Sequence, residues 1–276
     1  MTEERWVPPS VRRGGEEAIA AYFTLHEGLT PWIEKPFWAW VDGVLLRRGL
    51  GPDEVLIARM GRALRVPIPS PLYMGFPEDL GADPWDIADY LLQHAGWSYG
   101  WELEEILSEG GSAWAVSEVG EARHALTRRV PEGVQLAAEE AFKAEKAGPT
   151  LAKAWETLYG RTPDPAAAYR LAVEAVEHVA VEVVDRHNSK ASLGTVATRL
   201  YQQSGWHLPM TKEHPEVPSG RVVKDMCRVL WDGHAGRHGG DPHGPVSHED
   251  AEVAVGLAVT LVHWFSRGLV RREESA

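Results

Sequence analysis

Cys227 is the only cysteine in the chain, so no intrachain disulfide can form and a reducing, cytoplasmic compartment is expected. No run of about 18 apolar residues occurs, which leaves no candidate membrane span. Met1 is followed by Thr2, Glu3, Glu4 and Arg5 with no apolar stretch behind them, so no signal peptide is expected. The chain also lacks a GxGxxG fingerprint, a Walker P-loop, a GxSxG elbow and the kinase signature. The common dinucleotide, nucleoside triphosphate and α/β-hydrolase chemistries are thereby set aside, and no small-molecule cofactor is expected. Positive charge is in short supply. Lys and Arg number 28 against 40 Asp and Glu, a net charge of −12. A field of that sign opposes non-specific capture of nucleic acid but leaves room for a local basic site.

What is present describes a globular protein. The 276 residues are 44% hydrophobic and 25% charged, enough for one large or two modest domains. Twelve tryptophans run from Trp6 to Trp264. Their spread along the chain reads as core and inter-helix packing, because a platform for stacking bases would gather them.

Helical periodicity dominates. Helices are expected over 16–26, from Pro36 to about 49, and over 53–64. Three prolines in Val66-Pro67-Ile68-Pro69-Ser70-Pro71 then force an extended connector. Asp83-Pro84 is an N-cap followed by proline at the first helical position. That helix runs to about 94 and a second spans about 99–108. Residues 112–116 and 124–130 are the expected strands, pairing as a small hairpin across Gly120. Further helices are expected over 131–146 and 150–159. A second boundary falls at Arg161-Thr162-Pro163-Asp164-Pro165. The strongest amphipathic pattern follows, with Ala167, Leu171, Ala172, Ala175, Val176, Val179, Ala180 and Val183 recurring at three and four. Ser192 caps the next helix, Arg221–Trp231 forms another, and Ser247 with Asp250 opens the last long one as a capping box. The expected organisation is a helical region over 1–80, an α+β module with the hairpin over 81–161, and a helical bundle over 162–276. The fold class is mainly α.

The most informative chemistry lies between the last two helices, in Arg228-Val229-Leu230-Trp231-Asp232-Gly233-His234-Ala235-Gly236-Arg237-His238. An imidazole can act as general acid or base near neutral pH. A guanidinium can hold a phosphate with two donors and steady developing charge. The same residues also make an ordinary helix C-terminus and loop. Four histidines, His234, His238, His243 and His248, stand near Asp241 in a spacing that could ligate a transition metal. No cysteine partner or HExxH accompanies them, so no metal site is assigned and a metal-binding regulator is a third-ranked reading. The neighbours Glu104-Glu105 and Glu139-Glu140 read as solvated helix faces. Asp185, Arg186, His187 and Asn188 read either as a helix C-terminus or as a contribution to the same cleft.

The C-terminal third resembles a known family. Pro163-Asp164-Pro165 with Ala172-Val173-Glu174-Ala175-Val176-Glu177, then Ser192-Leu193-Gly194, Arg237-His238-Gly239 and Ala258-Val259-Thr260-Leu261-Val262, are similar to the C-terminal domain of abortive-infection proteins. That domain is a HEPN-like helical bundle of bacterial anti-phage and toxin systems. Residues 103–130 resemble the α+β region that precedes it. The resemblance implies a homodimer formed through the bundle and RNA as the substrate. It also implies metal-independent cleavage, in which an arginine and a following histidine do the work. Carried onto this sequence, Arg228 or Arg237 would hold phosphate and His234 or His238 would transfer the proton. Arg221 and Lys224 would contribute to substrate binding. His238-Gly239 matches the family's His-Gly pair, but Trp231 stands where the paired arginine would be, and Val229 follows Arg228 in place of a polar residue. A non-catalytic helical interaction or dimerisation protein, possible in a phage or mobile element, is therefore the alternative.

Overall fold

A computed structural model describes residues 6–46, 51–68, 81–95, 99–118, 123–233 and 245–273. Among these the chain is mainly α, with twelve helices and two small two-stranded sheets. None of the helices is long and apolar enough to cross a membrane. By its internal contacts the chain divides into residues 1–116 and 117–276.

The first unit contains α1 (Pro9–Arg13), α2 (Gly15–Tyr22), α3 (Pro31–Leu45), α4 (Glu54–Leu64), α5 (Pro84–His94) and α6 (Gly100–Glu109). Local chemistry sets the helix starts. The Asp53 side chain accepts from Leu56 N–H and that of Asp83 from Trp85 N–H, each satisfying a donor the first turn leaves free. Pro36 does not begin a helix. Pro31 does, behind Thr30, and Pro36 lies inside α3. An interior proline costs about 3 kcal/mol. The burial of Ile33, Phe37, Trp40, Val41, Val44 and Leu45 along the same helix offsets it. α3 packs on α5 and α6, and α4 on α5. Aromatic rings meet at this junction, where Phe37 contacts Trp38, Trp40 and Trp85. The buried indoles of this unit find acceptors. Trp85 and Trp114 both donate to Glu27 O, and Trp40 donates to Tyr99 O. Glu104 is not a solvated surface group, because its carboxylate accepts from Val116 N–H at 2.7 Å.

The unit boundary falls within β1 (Trp114–Glu118), which pairs with β2 (His124–Arg128). The first strand thus lies two residues later than the sequence pattern suggests. Residues 119–122, with Gly120, lie outside the described residues. The helices that follow are α7 (Glu132–Phe142), α8 (Gly148–Tyr159), α9 (Pro165–Val184), α10 (Leu193–Gln202), α11 (Ser219–Asp232) and α12 (His248–Ser266). α9 lies at the centre, packed against α8, α10 and α12. α7 packs on α8 and α12, and α11 packs on α10 and α12. Buried side chains from Ala138 to Val270 form one continuous core. The expected boundary near residue 161 therefore lies inside this unit, since α7 and α8 supply Ala138, Leu151, Trp155 and Leu158 to the same apolar interior as α9 and α12. Asp164, Ser192 and Ser247 cap their helices, the last two in full capping boxes. A second, unanticipated sheet pairs β3 (Trp206–His207) antiparallel with β4 (Arg271–Arg272).

Candidate functional site

Three of the residues singled out from sequence, His234, Arg237 and His238, lie outside the described residues, as do His243 and Asp241. The other three, Arg221, Lys224 and Arg228, all stand on α11, so the face that α11 shares with α10 is the candidate site.

The start of α11 is firmly held. Ser219 N–H donates to Glu213 Oε2 at 2.7 Å, and the Ser219 hydroxyl donates to the other carboxylate oxygen while accepting from Leu208 N–H at 2.8 Å. These bonds hold the Glu213 carboxyl below the usual glutamate range. Gly220 lies so close to β3 that a Cβ there would fall 1.9 Å from Trp206 O. With the entry fixed, Val223, Cys227 and Leu230 turn inward. Arg221, Val222, Asp225, Arg228, Val229 and Asp232 are left facing solvent. Farther along, Tyr169 donates its hydroxyl to Leu230 O at 3.0 Å.

α10 is seated beside it. The Trp231 indole meets the backbone of Gly194, where an added Cβ would lie 2.4 Å from Trp231 Nε1. Trp231 also packs on the bundle core. Trp231 thus has a packing role. Between the helices lies a cleft of about 420 Å³ lined by Ala197, Thr198 and Tyr201 from α10 and Lys224, Asp225 and Arg228 from α11. Tyr201 is 74% exposed. Lys224 Nζ stands 4.4 Å from the centre of its ring, a cation–π contact.

The structure thus brings together Lys224 and Arg228, and adds Tyr201, which the sequence did not single out. Arg221 is not a lining residue. It reaches Asp225 at 3.4 Å and donates to Glu216 O. Acidic groups temper the cleft. Arg228 Nε is 2.6 Å from Asp232 Oδ2, and Lys224 Nζ is 3.7 Å from Asp225 Oδ1. An exposed ring beside two cations can stack an aromatic base and hold a phosphate, provided the phosphate displaces Asp232 from the guanidinium.

The polar end of α9 belongs to the framework. Asp185 is buried, pairs with Arg199 at 2.9 Å, and accepts from Asn188 Nδ2 at 3.0 Å. His248 is the one described member of the histidine set, at the start of α12 with its ring 6.3 Å from that of Tyr159. Among the described residues no group of three His, Cys, Asp or Glu side chains is placed to hold a metal ion. No family model, no curated protein and no solved structure matches this chain.

Proposed function

We propose that this chain is an abortive-infection-like anti-phage or stress-response protein of the cytoplasm, whose C-terminal bundle binds single-stranded RNA along the α10–α11 cleft. The observation that carries the reading is the grouping of Lys224 and Arg228 about the exposed Tyr201 ring. Bases of any sequence can stack on such a ring, while the cations track the backbone. In its cleaving form the reading is metal-independent. Arg228 or Arg237 holds the phosphate and His234 or His238 moves the proton, as the HEPN resemblance implies. Of these four only Arg228 belongs to the described cleft.

Fluorescence anisotropy with a labelled single-stranded RNA tests binding. Tyr201→Ala is expected to weaken it about tenfold, within the range for one stacked base. Lys224→Gln with Arg228→Gln is expected to weaken it and flatten its salt dependence. Unchanged affinity in both variants would overturn the reading. Separately, RNA degradation by the parent that is abolished in His234→Ala/His238→Ala supports cleavage, whereas equal degradation removes it and leaves binding to be judged alone.

A second observation favours the dimerisation alternative. The solvent face of α11 reads Arg221, Asp225, Arg228, Asp232, with Val222 and Val229 exposed beside it. Run antiparallel against its own copy, this series sets Arg221 opposite Asp232 and Asp225 opposite Arg228. Such a self-complementary stripe suits a two-fold homodimer. Sedimentation would read it. Arg228→Asp is expected to dissociate the dimer and the added Asp225→Arg to restore it, while a monomeric parent ends the idea.

A further inference from the structure

The first unit contains a cleft that the RNA reading does not use. It measures about 460 Å³ and is lined by residues 21–26, Trp32 and the Glu109-Gly110-Gly111 turn. Four rings border it, those of Tyr22, Phe23, His26 and Trp32. They stand as two edge-to-face pairs, Tyr22 with Phe23 at 5.3 Å and 80°, and His26 with Trp32 at 5.6 Å and 79°. An edge-to-face contact covers only one of a pair's four ring faces, so most of the electron-rich surface stays uncovered by the pairing itself. Tyr22, Phe23, Leu25 and Trp32 are all exposed, an unusual cluster for side chains of this size.

The walls are fixed before any ligand arrives. His26 N–H donates to Gly111 O at 2.9 Å and Ala113 N–H to His26 O at 2.8 Å, which ties the loop to the end of α6. Trp32 Nε1 donates to Gly110 O at 2.9 Å, fixing the indole across the same turn. Cleft walls set in this way reduce the ordering cost of binding.

The lining includes no Lys or Arg, and its titratable side chains are Glu109, His26 and Tyr22. Glu109 is the last residue of α6 and lines the cleft, and no described residue pairs with its carboxylate. The C-terminal end of a helix adds partial negative charge at the same place. Ring faces, a carboxylate and a helix C-terminus all attract a cation. The type of cation follows from the donors it would bring. A primary ammonium carries three N–H groups that need acceptors, and ring faces satisfy them poorly. A quaternary ammonium has no N–H to satisfy, and its methyl groups suit aromatic walls.

We propose that this cleft is a binding site for a small molecule bearing a quaternary ammonium group, with Trp32 as its main aromatic wall and Glu109 as its counter-charge. The probes are choline, its neutral carbon analogue 3,3-dimethylbutanol, and butylammonium, titrated into the full chain by calorimetry. Choline is expected to bind saturably, and the neutral analogue on the order of tenfold more weakly. Butylammonium is expected to fall between them or below. Trp32→Leu should abolish the choline signal and Glu109→Gln should weaken it several-fold. Glu109 is exposed, so its variant tests the site even if Trp32→Leu disturbs folding, which circular dichroism will reveal. Equal binding of choline and its neutral analogue would overturn the proposal, as would no saturable choline binding or full affinity in Glu109→Gln.

Discussion

Arg199 on α10 reaches back to the Asp185 carboxylate at the end of α9, Nε to Oδ2 at 2.9 Å, and ties two helices that the chain joins only through residues 185–192. The partners differ in environment, since the Asp185 side chain is 2% exposed and that of Arg199 44%. Loss of the arginine strands a buried carboxylate with Asn188 as its remaining described side-chain partner. Loss of the aspartate frees a guanidinium that water can reach. Breaking a fully buried pair costs several kcal/mol, and exposure of one partner reduces that. Arg199→Ala is expected to destabilise the protein by about 2 kcal/mol, and Asp185→Asn by less. Urea unfolding of both variants checks the order, and equal losses would contradict this account.

The contact between Gly194 and Trp231 predicts a steric effect. A methyl group at Gly194 would fall 2.4 Å from Trp231 Nε1. Alanine is the better helix former, so an exposed Gly→Ala inside α10 would ordinarily stabilise. Here overpacking reverses the sign, and Gly194→Ala is expected to cost about 1–3 kcal/mol. Trp231→Leu carries its own loss of packing, but the two changes combined should cost less than their sum. A thermal-unfolding double-mutant cycle reads that coupling.

Much of the architecture was legible because caps and periodicity are local. Asp83-Pro84, Ser192 and the Ser247/Asp250 box each mark a helix start where the structure has one. Pro36 misled because proline at a first turn and proline inside a helix look alike in sequence, and only the burial of Phe37 and Trp40 beyond it shows why the second is tolerated. The β3–β4 pairing joins residues 206–207 to 271–272, and two-residue strands leave no periodic trace. The tryptophan reading holds for Trp40, Trp85, Trp114 and Trp155, all buried, but not for the exposed Trp6, Trp32 and Trp101. At the candidate site, charge type pointed to Lys224 and Arg228. Tyr201 escaped notice because it lies four residues after Ala197, so helical spacing alone assigns it to the buried stripe. Leu200 takes that place, and the ring is left in solvent.

Cys227 provides a chemical test of the packing under this face. Its side chain is inaccessible, and burial pushes the thiol up to about 12. Thiolate is the reactive form, so both access and ionisation protect it. At pH 8 the native protein should release almost no thionitrobenzoate from Ellman's reagent over minutes, and one equivalent once denatured. Rapid native reaction would mean that α11 opens from the core more readily than its packing against α10 and α12 implies.

The entry to α11 should respond to acid. Glu213 bonds to both the backbone N–H and the hydroxyl of Ser219, and these bonds hold its carboxyl below the ordinary value of 4.5. A carboxyl with a lowered native pKa stabilises the fold fully only above its unfolded value, and that contribution fades as pH falls through the native one. Glu213→Gln is therefore expected to lower the melting temperature most near neutrality. The gap between parent and variant should hold from neutrality down to the ordinary carboxyl range, narrow below it, and close once the native carboxyl is protonated. Amide exchange should speed up first at the start of α11, where Ser219 loses its acceptor, while the centre of α9 stays protected. A gap that widens as the pH falls would reverse the sign and remove Glu213 as the anchor of this helix.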